Sequence, residues 1–319
     1  MSAHPLTGDH EDDYEDVEET KNDIKTNKCG PISVYVQGNI NNITLTTPVF
    51  MTVHDLGTNH TEFHKLVEHP CMAKLKARSV WLHVEIPGQE FDAPDLPESL
   101  EFPSMDTLAE ELVNVLNYFN IKYCVTLGEG AGANIIARFA IAHPDRVLGN
   151  ILIHPTPNVE GVMQYFHDKM MTWRLNTLGM NSAAEQYLVF HKFGAHENIQ
   201  NRDHVIKDYI QKLYSRMNPK NLRLYVESFL ARTDLTPQLK DKMKVDTMLC
   251  SGSRNSHSHQ VDQMQAAMDP KLTTRVKLDD CGDVLQDTPE AFAYDLLLFC
   301  QGLGLFSALP VSRHGSICA

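Results

Sequence analysis

One stretch limits what this chain can fold into more than any other: Tyr123-Cys-Val-Thr-Leu-Gly128-Glu-Gly130-Ala-Gly132-Ala-Asn-Ile-Ile-Ala-Arg-Phe-Ala-Ile-Ala-His143-Pro144. The apolar, β-rich run from Ile121 to Leu127 meets a glycine-dense turn, and a helix follows. That helix is small on one side (Ala131, Gly132, Ala133) and apolar further on (Ile135, Ile136, Phe139). It stops where Pro144 pushes His143 out of the helical region. Strand, sharp turn and small-residue helix make a nucleophile elbow, G-x-S-x-G. The outer glycines are Gly128 and Gly132. The middle position, which should carry the nucleophilic oxygen, is Gly130.

The nucleophile of an elbow sits at φ > 0, which costs a residue with a Cβ roughly 1–3 kcal/mol. Glycine adopts that backbone almost freely, so Gly130 reads as an elbow relieved of strain and nucleophile together. Gly128, Gly130 and Ala133 also match the phosphate-binding pattern G-x-G-x-x-G/A. That fingerprint belongs after the first strand of a βαβ unit, with an acid ending the next strand. Here several strands come first, and the next one ends at His154.

The rest of the chain supplies the sheet that such an elbow needs. Ile32–Val36 and Ile43–Thr47 read as a hairpin, and Pro48–His54 as a strand buried on both faces. His54-Asp55-Leu56-Gly57 follows, where α/β-hydrolases place the loop that donates one oxyanion-hole N–H. Further strands are expected at Ser79–Val84, Asn150–His154, Val245–Cys250 and Thr274–Leu278. An amphipathic helix after the Ser104 N-cap precedes the elbow strand, and Glu290–Cys300 is the last helix. Strands alternating with helices predict an α/β-hydrolase fold, a doubly wound and mostly parallel sheet. Between residues 158 and 244 the pattern is helical throughout, which predicts an inserted cap domain. The hydrolase core is then 32–157 with 245–306. Residues 1–31 hold nine acidic side chains almost without apolar company and read as a disordered acidic tail; 307–319 reads as a flexible tail.

The net charge of −13 argues against nucleic acid, since phosphate binding needs clustered Lys and Arg. No apolar run approaches the roughly 20 residues that span a bilayer, and no secretory signal is visible. Seven irregularly spaced cysteines read as free thiols of a reduced, cytoplasmic protein.

The triad order in this fold is nucleophile, acid, histidine. Gly130 holds the first position. In the Gly-x-x-Asp turn after the first post-cap strand, Asn255 holds the second. After the final strand, in Asp280-Cys-Gly-Asp283, Asp283 stands where the base belongs. An amide cannot stabilise an imidazolium; an Asp-to-Asn change costs a triad about 10⁴ in rate. The alternative is displaced chemistry among Ser251, Ser253, Ser256, Ser258, His257 and His259. No H-E-x-x-H or Cys-x-x-Cys pattern occurs, so neither metal nor cofactor is expected, and His191, His196, His204, His257 and His259 read as ordinary solvated residues.

Taken together the motifs resemble the N-myc downstream-regulated (NDRG) family. Gly128-Glu-Gly-Ala-Gly-Ala133 is joined by His54-Asp-Leu-Gly-Thr-Asn-His60 and His83-Val-Glu-Ile-Pro-Gly-Gln89. Phe102-Pro-Ser-Met-Asp-Thr-Leu-Ala109, Met217-Asn-Pro-Lys-Asn-Leu222, Arg232-Thr-Asp-Leu235 and Phe299-Cys-Gln-Gly-Leu-Gly304 add to it. The match runs over residues 32–313. Glu129 departs from it, because relatives carry an aliphatic, polar or small residue there. Glu160-Gly-Val-Met-Gln-Tyr165 replaces the family's G-W-x-D-W segment.

The resemblance implies cytoplasmic hydrolase-fold proteins without the triad, acting in signalling, stress or differentiation responses and vesicle-associated traffic. Gly130, Asn255 and Asp283 would be vestigial triad positions, and His54, Asp55 and Gly57 a vestigial oxyanion loop. Partners would be proteins, with peripheral membrane association possible and the oligomeric state open. The cap aromatics and methionine Tyr165, Phe166, Met170, Trp173, Tyr187, Phe190 and Phe193 are the candidate partner surface, since rigid aromatics anchor interfaces.

Overall fold

A computed structural model of the chain describes residues 17–44, 46–158, 180–194 and 202–310. Eight strands form one sheet in the order β1-β2-β4-β3-β5-β6-β7-β8. They are β1 (Thr20–Lys25), β2 (Pro31–Gln37), β3 (Val49–Val53), β4 (Val80–Val84), β5 (Cys124–Glu129), β6 (Val147–Ile153), β7 (Thr247–Gly252) and β8 (Thr273–Leu278). β2 runs antiparallel to both β1 and β4, and every other pairing is parallel.

Side-chain parity along the strands divides the interior in two. Val49, Met51 and Val53 of β3 and Val80, Leu82 and Val84 of β4 face one apolar cluster. Phe50, Trp81, Val125 and Leu127 face the other. Phe50 and Trp81 stack across the strand pair with centroids 4.2 Å apart. Both faces are therefore covered, which is why these strands read as continuous apolar runs.

Helices α1 (His64–Glu68) and α2 (Ala73–Lys76) join β3 to β4, after a 3-10 turn at His60–Phe63. Next come α3 (Met105–Tyr118) and the elbow helix α4 (Gly130–Ala142). Ser104 caps α3, its hydroxyl accepting from the Thr107 N–H at 3.1 Å. Between β6 and β7 lie α5 (Ser182–Phe193), α6 (Arg202–Ser215), α7 (Pro219–Leu230) and α8 (Thr236–Lys242). Then follow α9 (Ser258–Ala267), α10 (Val284–Asp287) and α11 (Pro289–Gly302).

Three expectations are corrected. Residues 17–31 do not form part of the disordered acidic tail expected over 1–31. Thr20–Lys25 is an edge strand on β2, with Ile24 buried opposite Ile32; residues 1–16 lie outside the described residues. Acidic composition hid the strand because an edge strand buries only one residue in two. The expected hairpin of 32–36 with 43–47 does not form, since β2 takes β1 and β4 as neighbours. Thr44 and Thr47 instead bond locally, the Thr44 N–H donating to the Thr47 hydroxyl at 3.0 Å, the way threonine competes with a ladder. Residues 307–310 do not belong to the flexible tail expected at 307–319: Leu309 is buried, and the Gln301 amide donates to its carbonyl at 2.8 Å; residues 311–319 lie outside the described residues.

Candidate functional site

The elbow is built as its sequence predicts. β5 ends at Glu129, Gly130 turns at φ +51°, and α4 begins. A Cβ at Gly132 would run into the carbonyl oxygens of Val53 and His54, so the small residue lets α4 pack directly on β3. At Gly130 the obstacle is different: a Cβ there would overlap the carboxylate of Asp55.

Asp55 is the centre of the site. Its Oδ1 accepts from the Ala131 backbone N–H at 2.8 Å. In a hydrolase the N–H after the nucleophile is an oxyanion-hole donor. Here that donor already holds an anion, at the positive end of a helix. The same Oδ1 lies 2.9 Å from His191 Nε2, which belongs to the cap helix α5. Burial alone would raise the Asp55 carboxyl, but His191, Lys192 and the Ala131 N–H bring it down to about 2. The segment expected to donate an N–H contributes a carboxylate here instead.

Lys192, the next cap residue, completes the closure. It is 4% exposed, and its ammonium contacts Glu62, Glu129 Oε2 at 2.6 Å and Asp283 Oδ2 at 3.7 Å. Burial works against its charge, yet Asp283, Glu129, Glu62 and Asp55 hold its pKa well above the ordinary value. Burial also lifts the Glu62 and Glu129 carboxyls to about 7 despite Lys192, because like charges crowd them. Glu62 is further held by Asp55 N–H at 3.0 Å and the Thr58 hydroxyl at 2.9 Å.

His154 ends β6 at φ +49°. Its Nε2 accepts from the Gly252 N–H at 3.0 Å, and its Nδ1 lies 3.4 Å from Glu129 Oε1. Burial depresses its pKa to about 3, which leaves a neutral ring with the proton on Nδ1. The Asn255 amide donates to Gly282 O at 3.0 Å, and its Oδ1 accepts from His257 N–H at 2.8 Å. Asp283 caps α10, Oδ1 accepting from Leu285 and Gln286 N–H at 3.1 and 3.2 Å. The Asn255 amide and Asp283 Oδ1 are thus engaged by backbone groups. His54 is buried, with Nδ1 2.8 Å from the Asp55 carbonyl, and Gly57 lies beneath the Tyr209 ring of the cap.

The displaced serines are not paired with imidazoles among the described residues. Ser251 accepts from the Arg275 guanidinium at 2.7 Å, Ser253 from Asp280 N–H at 3.0 Å, and Ser256 donates to Phe190 O at 3.3 Å. His257 is buried rather than solvated, and burial holds its pKa well below the ordinary value. His191 is buried too, whereas His204 and His259 are exposed as expected; His196 lies outside the described residues.

The candidate partner surface is corrected where it can be seen. Tyr187 and Phe193 are fully buried, and Phe190 packs partly buried against the same core. Tyr165, Phe166, Met170 and Trp173 lie outside the described residues. The aromatics of α5 face inward because Ala184, Leu188 and Lys192, with Tyr187 and His191, form its buried stripe. That stripe carried a missed signal. A histidine and a lysine at positions where the helical period calls for apolar residues must meet partners inside.

No helix of the described residues is long and apolar enough to cross a membrane. The six described cysteines are all buried.

A family model described as the Ndr family matches residues 21–307. An uncharacterized protein of Caenorhabditis elegans is 38% identical over 289 residues, 90% of this chain and 86% of its own. Protein NDRG1-B of Xenopus laevis is 31% identical over 325 residues, 97% of this chain and 78% of its own. The enol-lactonase of Burkholderia xenovorans LB400 superposes with a TM-score of 0.68 at 17% identity, covering 85% of this chain and 96% of its own. A thermophilic esterase from Thermogutta terrifontis gives 0.67 at 16%, covering 90% and 99%. At such identities the structural likeness concerns the fold.

Proposed function

The chain belongs to the Ndr family, and from that premise we propose a non-enzymatic protein of the α/β-hydrolase fold, acting as a cytoplasmic signalling or trafficking adaptor. The observation that carries this reading is the Asp55 carboxylate seated on the Ala131 N–H beside Gly130. An oxyanion-hole donor is worth about 3 kcal/mol to an acyl-transfer transition state, and this one is occupied by an internal anion. Gly130 brings no hydroxyl, Asp283 no imidazole and Asn255 no carboxylate. Lys192 and His191 fill the remaining approach from the cap side.

A body closed in this way has its outside left for binding. With Tyr187 and Phe193 turned inward, the adaptor surface falls on the outer faces of the cap helices. Tyr214 of α6 stands there 51% exposed, its hydroxyl donating to Glu185 Oε2 at 2.9 Å. The test is treatment of the full chain with a fluorophosphonate probe and an activated ester. No serine should be labelled and no acyl-enzyme burst should appear. Stoichiometric labelling of a serine between 251 and 258 would establish the displaced hydrolase or lyase chemistry instead.

A further inference from the structure

Buried imidazoles and carboxylates converge at a second place, away from the elbow. Glu19, His60 and His64 each present a ligand atom, and these atoms lie within 4.8 Å of one another. We propose that these three side chains form a site for a divalent transition metal of the zinc class, which fastens β1 to the body of the protein.

The backbone places them with little freedom. His60 opens the 3-10 turn and His64 opens α1 four residues later, so both rings leave one face of a continuous helical path. Glu19 directly precedes β1, and the pairing of Thr20 with Val36 fixes its position. His64 Nε2 lies 3.0 Å from Glu19 Oε2, and His60 Nε2 lies 3.5 Å from Glu19 Oε1. Ligand atoms about 2.1 Å from a tetrahedral zinc ion stand about 3.4 Å from one another. The observed spacings bracket that value.

Two further observations point to a ligand rather than to a chance cluster. His60 Nδ1 lies 2.5 Å from Oε2 of the buried Glu85. A carboxylate behind one ring nitrogen is how a metal-ligating histidine is oriented, its other nitrogen freed for the ion. Tyr35 stacks flat on the same ring at 3.5 Å, so its plane is fixed. Independently, the His64 side chain is only 3% exposed, and among the described residues its Nε2 and Glu19 Oε2 face only each other, 3.0 Å apart. Two buried acceptor atoms so placed repel unless a proton or a cation lies between them, and a bound metal ion satisfies both. Neighbouring His83 is not a ligand, because Thr52 and Gln37 take its two nitrogens at 2.8 Å each. Two imidazoles and one carboxylate suit Zn²⁺ or Co²⁺, with one position open to water.

The test uses the full chain, stripped with a chelator and titrated with Zn²⁺ alone against a chromogenic competitor. One tight equivalent should bind and raise the melting temperature. Glu19→Gln, at the most exposed ligand and the least threatening to folding, should weaken that equivalent at least about tenfold, as should His64→Gln. His259→Gln, on the surface of α9, should change nothing. In hydrogen exchange, Zn²⁺ should slow the amides of residues 20–25 in the wild type and not in Glu19→Gln. If Glu19→Gln binds as tightly as the wild type, or if no saturable equivalent exists, the cluster is a protonated histidine–glutamate pair and the proposal is wrong. Neither result bears on whether the elbow is catalytic.

Discussion

Lys192 of the cap and Glu129 of the elbow strand are held 2.6 Å apart, and both side chains are almost wholly out of solvent. Glu129 sets a carboxylate beside Gly130 in the elbow, and Lys192 is the cation that meets it. The two must be read together, since neither charge is stable there alone.

Lys192→Met removes the ammonium and strands three carboxylates around it. Breaking one partner out of a buried ion cluster costs about 3–5 kcal/mol, and that loss is expected in denaturant unfolding. Adding Glu129→Gln should recover part of it. A loss below about 1 kcal/mol in the single variant would mean that the carboxylates are already neutral.

Gly130→Ser should fail to create esterase activity and should destabilise the fold by more than the roughly 1–3 kcal/mol of its positive φ, because Asp55 occupies the space. The combination with Asp55→Ala should cost less than the sum of the two singles, with a coupling of about 1 kcal/mol or more. Strict additivity would show that the overlap is relieved elsewhere. An ester burst in either variant would overturn the account of the site.

The pH dependence follows from Glu129. Burial raises its carboxyl from an ordinary 4.5 to about 7, so between those values the folded state holds a proton that the unfolded chain has released. Stability from this group is therefore complete below pH 4.5 and is lost as pH rises to 7, by about 3 kcal/mol at most. Measured as the wild type minus Glu129→Gln, melting temperature should decline across that window. Glu62 titrates in the same window and is raised partly by Glu129 itself, so the difference reports the coupled Glu129–Glu62 pair, with the same sign. A flat or rising difference would place the carboxyl in its charged form throughout.

Deleting residues 1–28 should lower the melting temperature by several degrees. The deletion takes away β1, exposes Ile32 opposite Ile24, and leaves β2 with an unpaired edge. Deletion of 1–16 alone leaves that strand in place, and the comparison isolates its contribution. An unchanged midpoint for the longer deletion would mean that the strand adds nothing to stability.

Much of this molecule was legible in its sequence, and the reason is local. The elbow, the doubly buried strands of β3 to β7 and the Ser104 cap are written within a few residues of one another, where periodicity and backbone preference act. The identities at Gly130, Asn255 and Asp283 were equally visible. What the carboxylate of Asp55 does was not, because its partner Ala131 lies 76 positions on. Lys192 reaches Glu62 across 130 residues and Glu129 across 63, and Glu19 meets His60 only because β1 pairs with β2. An acidic composition suggested a solvated tail, yet an edge strand needs only alternate residues inside. The aromatics of α5 suggested a surface, yet docking of the cap turned them inward. Sequence fixes a backbone preference because that energy is local; charge pairing and burial are decided when distant segments share one dry volume, and only the tertiary structure makes that volume.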